Sequence, residues 1–278
     1  MKSLQKIKNN ASLYSLLAIS IGCFYSCEES VDDLEARGTE WNLVWSDEFD
    51  LDGAVDDTKW THEIGDGSDQ GIPGWGNNEL QSYTANSDNS IVENGVLKLK
   101  ARNSPYTSAR IKTQGLFSQT YGRFEARIKT PFGKGIWPAF WLLGENIETV
   151  GWPQCGEIDI MELRGQEPQV AHGSLHGPGN YGGSPLSRSF TLEQDRFDKD
   201  FHVFAIEWGQ DYIDYFVDGE VYQRITSNDV GEWVFNKPFF IILNIAIGGN
   251  YVGSPAHNTY FPQTMEVDYV RVYKETEL

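Results

Sequence analysis

The chain is written in short segments whose apolar and polar positions alternate, separated by turn residues. Trp41-Asn42-Leu43-Val44-Trp45 alternates, and Arg123-Phe124-Glu125-Ala126-Arg127-Ile128-Lys129 does so over its whole length. Ile91-Val92-Glu93 and Val96 to Ala101 flank Asn94-Gly95, a dipeptide that favours a tight hairpin turn. Further strands are predicted at Gly135–Leu143, Gly156–Leu163, Val170–His176, Phe201–Trp208, Tyr212–Val217, Phe239–Ile247 and Met265–Tyr273. No apolar pattern of period 3.6 runs long enough for a substantial helix. Many short strands punctuated by Gly, Asn and Asp predict an all-β chain folded as a sandwich of two antiparallel sheets.

The first residues break this pattern. Lys2, Lys6 and Lys8 precede an apolar run from Leu13 to Ile21 that is too short to span a bilayer, the order of a signal peptide. Cys27, preceded by Ser26 and followed by Glu28-Glu29, is the preferred lipidated residue of a bacterial lipoprotein, with Cys23 as the alternative and plain secretion as the other outcome. Residues 1–27 are therefore expected to be a lipoprotein-type signal and lipidation site. Residues 28–38 hold five acids, one arginine and almost no large apolar side chain, the composition of a solvated tether in which nothing folds. Residues 39–278 are long enough for one substantial core and show no internal repeat. The expected product is exported, anchored by lipid at the outer membrane or cell surface of a Gram-negative bacterium, and monomeric.

The net charge of −18 becomes −21 once the three lysines of residues 1–26, which hold no acid, are removed. That balance excludes nucleic acid as a natural partner and favours a neutral ligand over an anionic one. With Cys27 acylated, Cys155 is the sole thiol of the folded body, so no disulfide within it is expected. Lacking an evident histidine partner, Cys155 reads as an apolar structural residue.

Candidate chemistry concentrates in Gly156-Glu157-Ile158-Asp159-Ile160-Met161-Glu162-Leu163, where three carboxylates thread an apolar strand. Burying a single unpartnered carboxylate costs several kcal/mol, so three together need a reason. Period-two alternation puts Glu157 and Asp159 on one face, and Glu162 has the wrong parity. A β-bulge at Ile160-Met161 would return Glu162 to that face. Close carboxylates split in pKa, leaving one ionised and one as proton carrier. That is the equipment of a glycosidase; a retaining one needs its two carboxyl groups roughly 5–5.5 Å apart. A solvated acidic strand face and a calcium or magnesium site are the alternatives.

Aromatic residues make up 13% of the chain, several of them in glycine-rich contexts. Trp75, Trp137, Trp141 and Trp152 are candidates for stacking on the apolar faces of sugar rings, with core packing as the competing role. His172 and His176 share a strand face, but the glycines and Pro178 around them argue against a helical zinc pair, and a cleft role for His176 is preferred. His62, His202 and His257 are expected to be structural. Gly65-Asp66-Gly67 and Gly248-Gly249 lack the spacing of a nucleotide loop.

Glu157-Ile158-Asp159-Ile160-Met161-Glu162 closely resembles the signature of glycoside hydrolase family 16, in the longer, bulged form of its laminarinase branch. The stretches around Trp75, Trp137 and Trp141 resemble the same branch, as do Phe201–Trp208, Asn244–Gly249 and Val267–Tyr273, so that the likeness runs from Thr39 to Lys274. The resemblance implies a β-jelly roll with a curved inner sheet forming the substrate cleft. It implies Glu157 as nucleophile, Glu162 as general acid/base and Asp159 as the carboxylate that tunes them. It also implies Asn78, Trp137 and Trp141 beside the cleavage point, and Arg127 and His176 on cleft-facing strands. No cofactor is implied for catalysis. One structural calcium is implied, held by Asp268 and the backbone oxygens of Glu48 and Gly95, although an ordinary ion pair would account for Asp268 as well. The expected activity is retaining endo-hydrolysis of β-1,3-glucan. The alternatives are the same chemistry on mixed-linkage glucan or a galactan such as agar, or a non-catalytic glycan-binding lipoprotein on the same fold.

Overall fold

The computed structural model describes residue 34 and residues 36–276. The expected signal segment, Cys23, Cys27 and most of the 28–38 tether lie outside the described residues.

Two antiparallel sheets face one another. The first is ordered β12 (Leu186–Thr191), β11 (Val170–His176), β10 (Glu157–Leu163), β9 (Ile136–Gly144), β16 (Phe239–Ile247), β7 (Arg110–Lys112) and β2 (Thr61–His62). The second is ordered β15 (Glu220–Thr226), β14 (Tyr212–Val217), β13 (His202–Trp208), β8 (Gly122–Lys129), β17 (Gln263–Glu275), β5 (Leu97–Ala101) and β4 (Ser90–Val92), and β1 (Trp41–Asp47) also pairs with β17. A short parallel pair, β3 (Ser82–Tyr83) with β6 (Thr107–Ser108), stands apart from them. This is the two-sheet antiparallel sandwich expected from the alternating pattern, the architecture of the jelly roll that the resemblance implied.

The core lies between the sheets because alternate side chains of each strand point there. Ile158, Ile160 and Leu163 of β10 and Phe239, Ile241, Leu243, Ile245 and Ile247 of β16 meet Phe124, Ala126 and Ile128 of β8 and Val267, Val270 and Val272 of β17. All nine residues of β16 are buried, which explains its unbroken apolar run. On its outer side Phe240 and Ile242 form a second cluster with Leu143 and Cys155, and Trp141 packs against it. Cys155 is thus a packing residue, as expected; burial and the neighbouring Glu157 push its thiol up to about 11.

Two features depart from expectation. The short strands β2, β3, β6 and β7 and the longer β12 and β15 escaped the sequence pattern, although Asp218-Gly219, at φ 50° and 85°, closes the β14–β15 hairpin with the left-handed pair that such a turn requires. Arg37, placed in the solvated tether, instead reaches the fold: its Nε donates to the fully buried Asp214 at 3.2 Å and its guanidinium lies 3.8 Å from the Tyr212 ring centroid.

Candidate active site

The acidic strand is phased by the bulge. Glu157 stands opposite Leu143 on β9 and His176 on β11, and Glu162 stands opposite Ala139 and His172; in both ladders the register slips after Asp159. The consecutive residues Ile160 and Met161 are both buried in the core between the sheets, which absorbs the extra residue. Glu157, Asp159 and Glu162 therefore all line one cleft of about 820 Å³ on the outer face of the seven-stranded sheet. Gly156 sets the entry to this strand. At φ +70° its Cβ would stand 2.9 Å from Phe239 Cζ and 3.0 Å from Phe235 Cε1, so only glycine fits without strain.

Burial and mutual repulsion raise both glutamates. Desolvation first, then the charge of Asp159, lift Glu157 to about 7, against the pull of His176 and the Trp152 hydrogen bond. The same two causes, joined by repulsion from Glu157, lift Glu162 to about 8, against His176 and Trp137. His176 moves the other way from an isolated buried imidazole. Desolvation lowers it, but its hydrogen bond to Asp159 and the charges of the three carboxylates outweigh that and bring it to about 9. His176 Nε2 lies 3.2 Å from Asp159 Oδ2 and 3.8 Å from Glu157 Oε1. Glu157, Asp159 and His176 offer ligand atoms within 4.8 Å of one another, the geometry of the metal alternative. A cationic imidazolium already occupies one corner of that cluster, and it offsets the carboxylate charge as an ion would.

The predicted aromatic residues are brought to the same place. Trp137 Nε1 donates to Glu162 Oε1 at 2.9 Å, Trp152 Nε1 to Glu157 Oε2 at 3.0 Å and Trp141 Nε1 to Asn244 Oδ1 at 2.8 Å, and all three line the cleft. Trp75 lines it too, with its indole N–H on the Gly65 carbonyl. His176 is in the wall, and so is His172, for which no role was expected.

Two predicted residues fall elsewhere. Arg127 is on β8 in the opposite sheet; its neighbours Ala126 and Ile128 point into the core, so its own side chain points outward, where it meets Asp268 at 2.7 Å and lies over Phe201. Asn78 is exposed, sits at φ +58° and donates to Asn250 Oδ1 at 2.9 Å, while its neighbour Asn77 lines the cleft. Other cleft residues went unpredicted. Arg110 lies 4.8 Å from the ring centroids of both Trp75 and Trp141 and pairs with Glu63 at 2.9 Å. Glu79 is raised by burial despite hydrogen bonds from Gln81, Asn77 and Tyr83. Tyr251 packs against Trp137, with centroids 5.0 Å apart.

In the second sheet β1 pairs with β17 from Val270 onward and β5 with β17 up to Val267, so Asp268 lies on β17 between the two pairings, with Glu48 just after β1 and Gly95 just before β5. Both acids there hold arginines: Asp268 binds Arg127 through Oδ2, and Glu48 binds Arg271 through both oxygens at 3.0 and 2.8 Å. Asp268 is met by a single guanidinium N–H and is about one-third exposed, so its other oxygen lies outside this ion pair.

The sequence profile of "Glycosyl hydrolases family 16" matches residues 77–271. A "Beta-glucanase" of Rhodothermus marinus is 41% identical over 279 residues, covering 94% of each chain. Among solved structures, the laminarinase catalytic domain from Thermotoga maritima superposes with a TM-score of 0.83 at 47% identity, over 86% of this chain and 100% of that one. The endo-β-1,3-glucanase from Pyrococcus furiosus gives 0.84 at 48% identity, over 88% and 98%.

Proposed function

Since this chain belongs to glycoside hydrolase family 16, we propose that it is an endo-acting hydrolase of β-1,3-glucan that works with retention through Glu157 and Glu162. The observation that carries the assignment is the bulged strand, which turns two glutamates, both raised above the ordinary carboxylate range by burial and by Asp159, and the Asp159–His176 pair onto one tryptophan-walled cleft. In the first step Glu162 gives its proton to the glycosidic oxygen while a Glu157 oxygen attacks the anomeric carbon; the C–O bond breaks and the leaving chain departs as an alcohol. In the second, the Glu162 carboxylate takes a proton from water, whose oxygen displaces Glu157 from the sugar. Asp159 and His176 hold the electrostatic balance between the two carboxyl groups, and Trp137, Trp141 and Trp152 present surfaces for pyranose rings.

Product analysis over time with the full chain, offered laminarin, mixed-linkage glucan and agarose in parallel, tests this. A ladder of oligosaccharides from laminarin, with slower or no attack on the others, is expected. Ladders from agarose alone would overturn the substrate, and binding without products would point to a lectin. The pH dependence is also fixed in sign. Glu157 must be ionised and Glu162 protonated, so kcat/KM rises as pH climbs through about 7 and falls as it passes about 8. A flat profile from pH 5 to 10 would contradict these roles.

Two further parts of the proposal concern the rest of the chain. A calcium ion on Asp268 and the Glu48 and Gly95 carbonyls would stabilise the fold without entering the chemistry; a chelator is expected to lower Tm, and an unchanged Tm with and without calcium would remove the ion from the account. Export and anchoring through Cys27, with Cys23 as the alternative, is supported by the order of charged, apolar and acidic segments in residues 1–38. Loss of the chain from the membrane fraction on replacing both cysteines by Ala tests it.

A further inference from the structure

Each of the two glutamates accepts a hydrogen bond from a different indole. Trp137 Nε1 donates to Oε1 of Glu162 at 2.9 Å, and Trp152 Nε1 donates to Oε2 of Glu157 at 3.0 Å. The two tryptophans come from different elements, β9 and the loop before β10, so the pairing is not a repeat of one local motif. An indole N–H can only donate. The carbonyl oxygen of a carboxyl group is a better acceptor than its hydroxyl oxygen, so a carboxyl group held in this way favours its proton on the other oxygen.

We propose that Trp137 and Trp152 are positioning residues that select which oxygen of each glutamate reacts: Oε2 of Glu162 carries and returns the proton, and Oε1 of Glu157 forms the bond to the anomeric carbon. This rests on the roles assigned above to Glu157 and Glu162 and goes beyond them. The opposite face of each group agrees with it. Glu157 Oε1, the oxygen left free by Trp152, is the one that faces His176 Nε2, at 3.8 Å, where a cation favours the ionised attacking atom. In the first step the Oε2–H bond of Glu162 breaks as the leaving oxygen takes the proton, and the electron pair stays on a carboxylate whose Oε1 is already hydrogen-bonded. The charge that develops on Glu162 and the charge that disappears from Glu157 are both met by an N–H that needs no reorganisation.

The charges around each group set what a substitution does. Glu162 feels Asp159 and Glu157 on its own strand and His176 on β11, with His172, Tyr251 and Arg164 in the same wall. Glu157 feels Asp159, His176, Arg110 and the Cys155 thiol. None of these changes when an indole is replaced by a phenyl ring, so Trp137→Phe and Trp152→Phe isolate the N–H while keeping an aromatic surface for sugar. Each indole stabilises the ionised form of its glutamate, so its loss raises that glutamate's pKa. Trp137→Phe is expected to move the alkaline limb of the kcat/KM profile to higher pH, and Trp152→Phe to move the acid limb to higher pH. Each should lower kcat roughly tenfold, the effect of one hydrogen bond to a charged group, with KM for laminarin little changed.

If the indoles serve only as sugar platforms, KM rises while both limbs stay in place, and the proposal falls. If a phenyl variant does not fold, replacing the same residue by the benzothiophene analogue of tryptophan, which keeps the bicyclic shape and drops the N–H, reads the same two quantities. Failure of the underlying assignment is distinguishable from failure of this one. Full activity in Glu157→Gln would remove the assignment; unmoved limbs in both tryptophan variants, with Glu157→Gln inactive, would remove only the selection of oxygens.

Discussion

Replacing Glu157 by Gln lowers kcat on laminarin by roughly four orders of magnitude or more, because an amide oxygen cannot form and release a glycosyl ester at a useful rate. Binding persists, since the tryptophan surfaces and the volume at residue 157 are unchanged. The same variant carries a stability signature of definite sign. Burial and Asp159 hold Glu157 at about 7, above the ordinary carboxylate range. A carboxyl raised by folding costs nothing below its unfolded pKa. It then costs progressively more stability as pH rises from there through the folded value, and the full penalty remains above it. Glu157→Gln removes that penalty and should raise Tm at pH 8 while leaving it nearly unchanged at pH 4. Inactivity with this pattern marks a folded protein that lacks its nucleophile; full turnover would end the assignment of Glu157.

Replacing Glu162 by Gln lowers kcat/KM on laminarin by about 10²- to 10⁴-fold, the usual contribution of a positioned general acid, and removes the alkaline limb of the pH profile. The loss depends on the leaving group. A sugar chain departing as an alkoxide needs the proton; a dinitrophenolate does not. With an activated aryl β-1,3-glucoside the first step is therefore largely spared, the second loses its general base, and a burst of phenolate followed by slow turnover is expected. Equal losses on laminarin and the aryl substrate, or an alkaline limb left in place, would show that Glu162 does not transfer the proton.

The parts of the site that could be read in the sequence are those in which local pattern and chemistry coincide. Three carboxylates in an apolar strand demand a shared face, and the parity of Glu162 demands an extra residue, which the consecutive burial of Ile160 and Met161 supplies. The long strands were legible for the same reason: Tyr212–Val217, Val170–His176 and Phe239–Ile247 have the expected limits because apolar runs bounded by turn residues leave little freedom.

What was not legible depends on which sheet a strand joins and on how a loop turns. The alternation of Arg123–Lys129 says that Arg127 shares a face with Arg123 and Glu125, but not that this face belongs to the sheet opposite the cleft. Asn77 and Asn78 are indistinguishable in composition, and the left-handed backbone at Asn78 leaves it exposed and bonded to Asn250 of the cleft wall, while Asn77 itself lines the cleft. Arg110 and Tyr251 reach the cleft only through tertiary pairing: Arg110 is placed by β7 against β16, and Tyr251 by a loop that packs on Trp137. The hydrogen bonds from Trp137 and Trp152 to the glutamates belong to the same class. The sequence marks both residues as sugar platforms, and only the assembled sheet shows where each N–H points.

The most direct test of the account is to trap the intermediate. Incubation with a 2-deoxy-2-fluoro β-1,3-oligoglucosyl fluoride, followed by mass spectrometry of the intact chain and of its peptides, should give one stoichiometric glycosyl adduct on Glu157. A label on Glu162, or hydrolysis of laminarin by the same preparation with no adduct at any carboxylate, would contradict it.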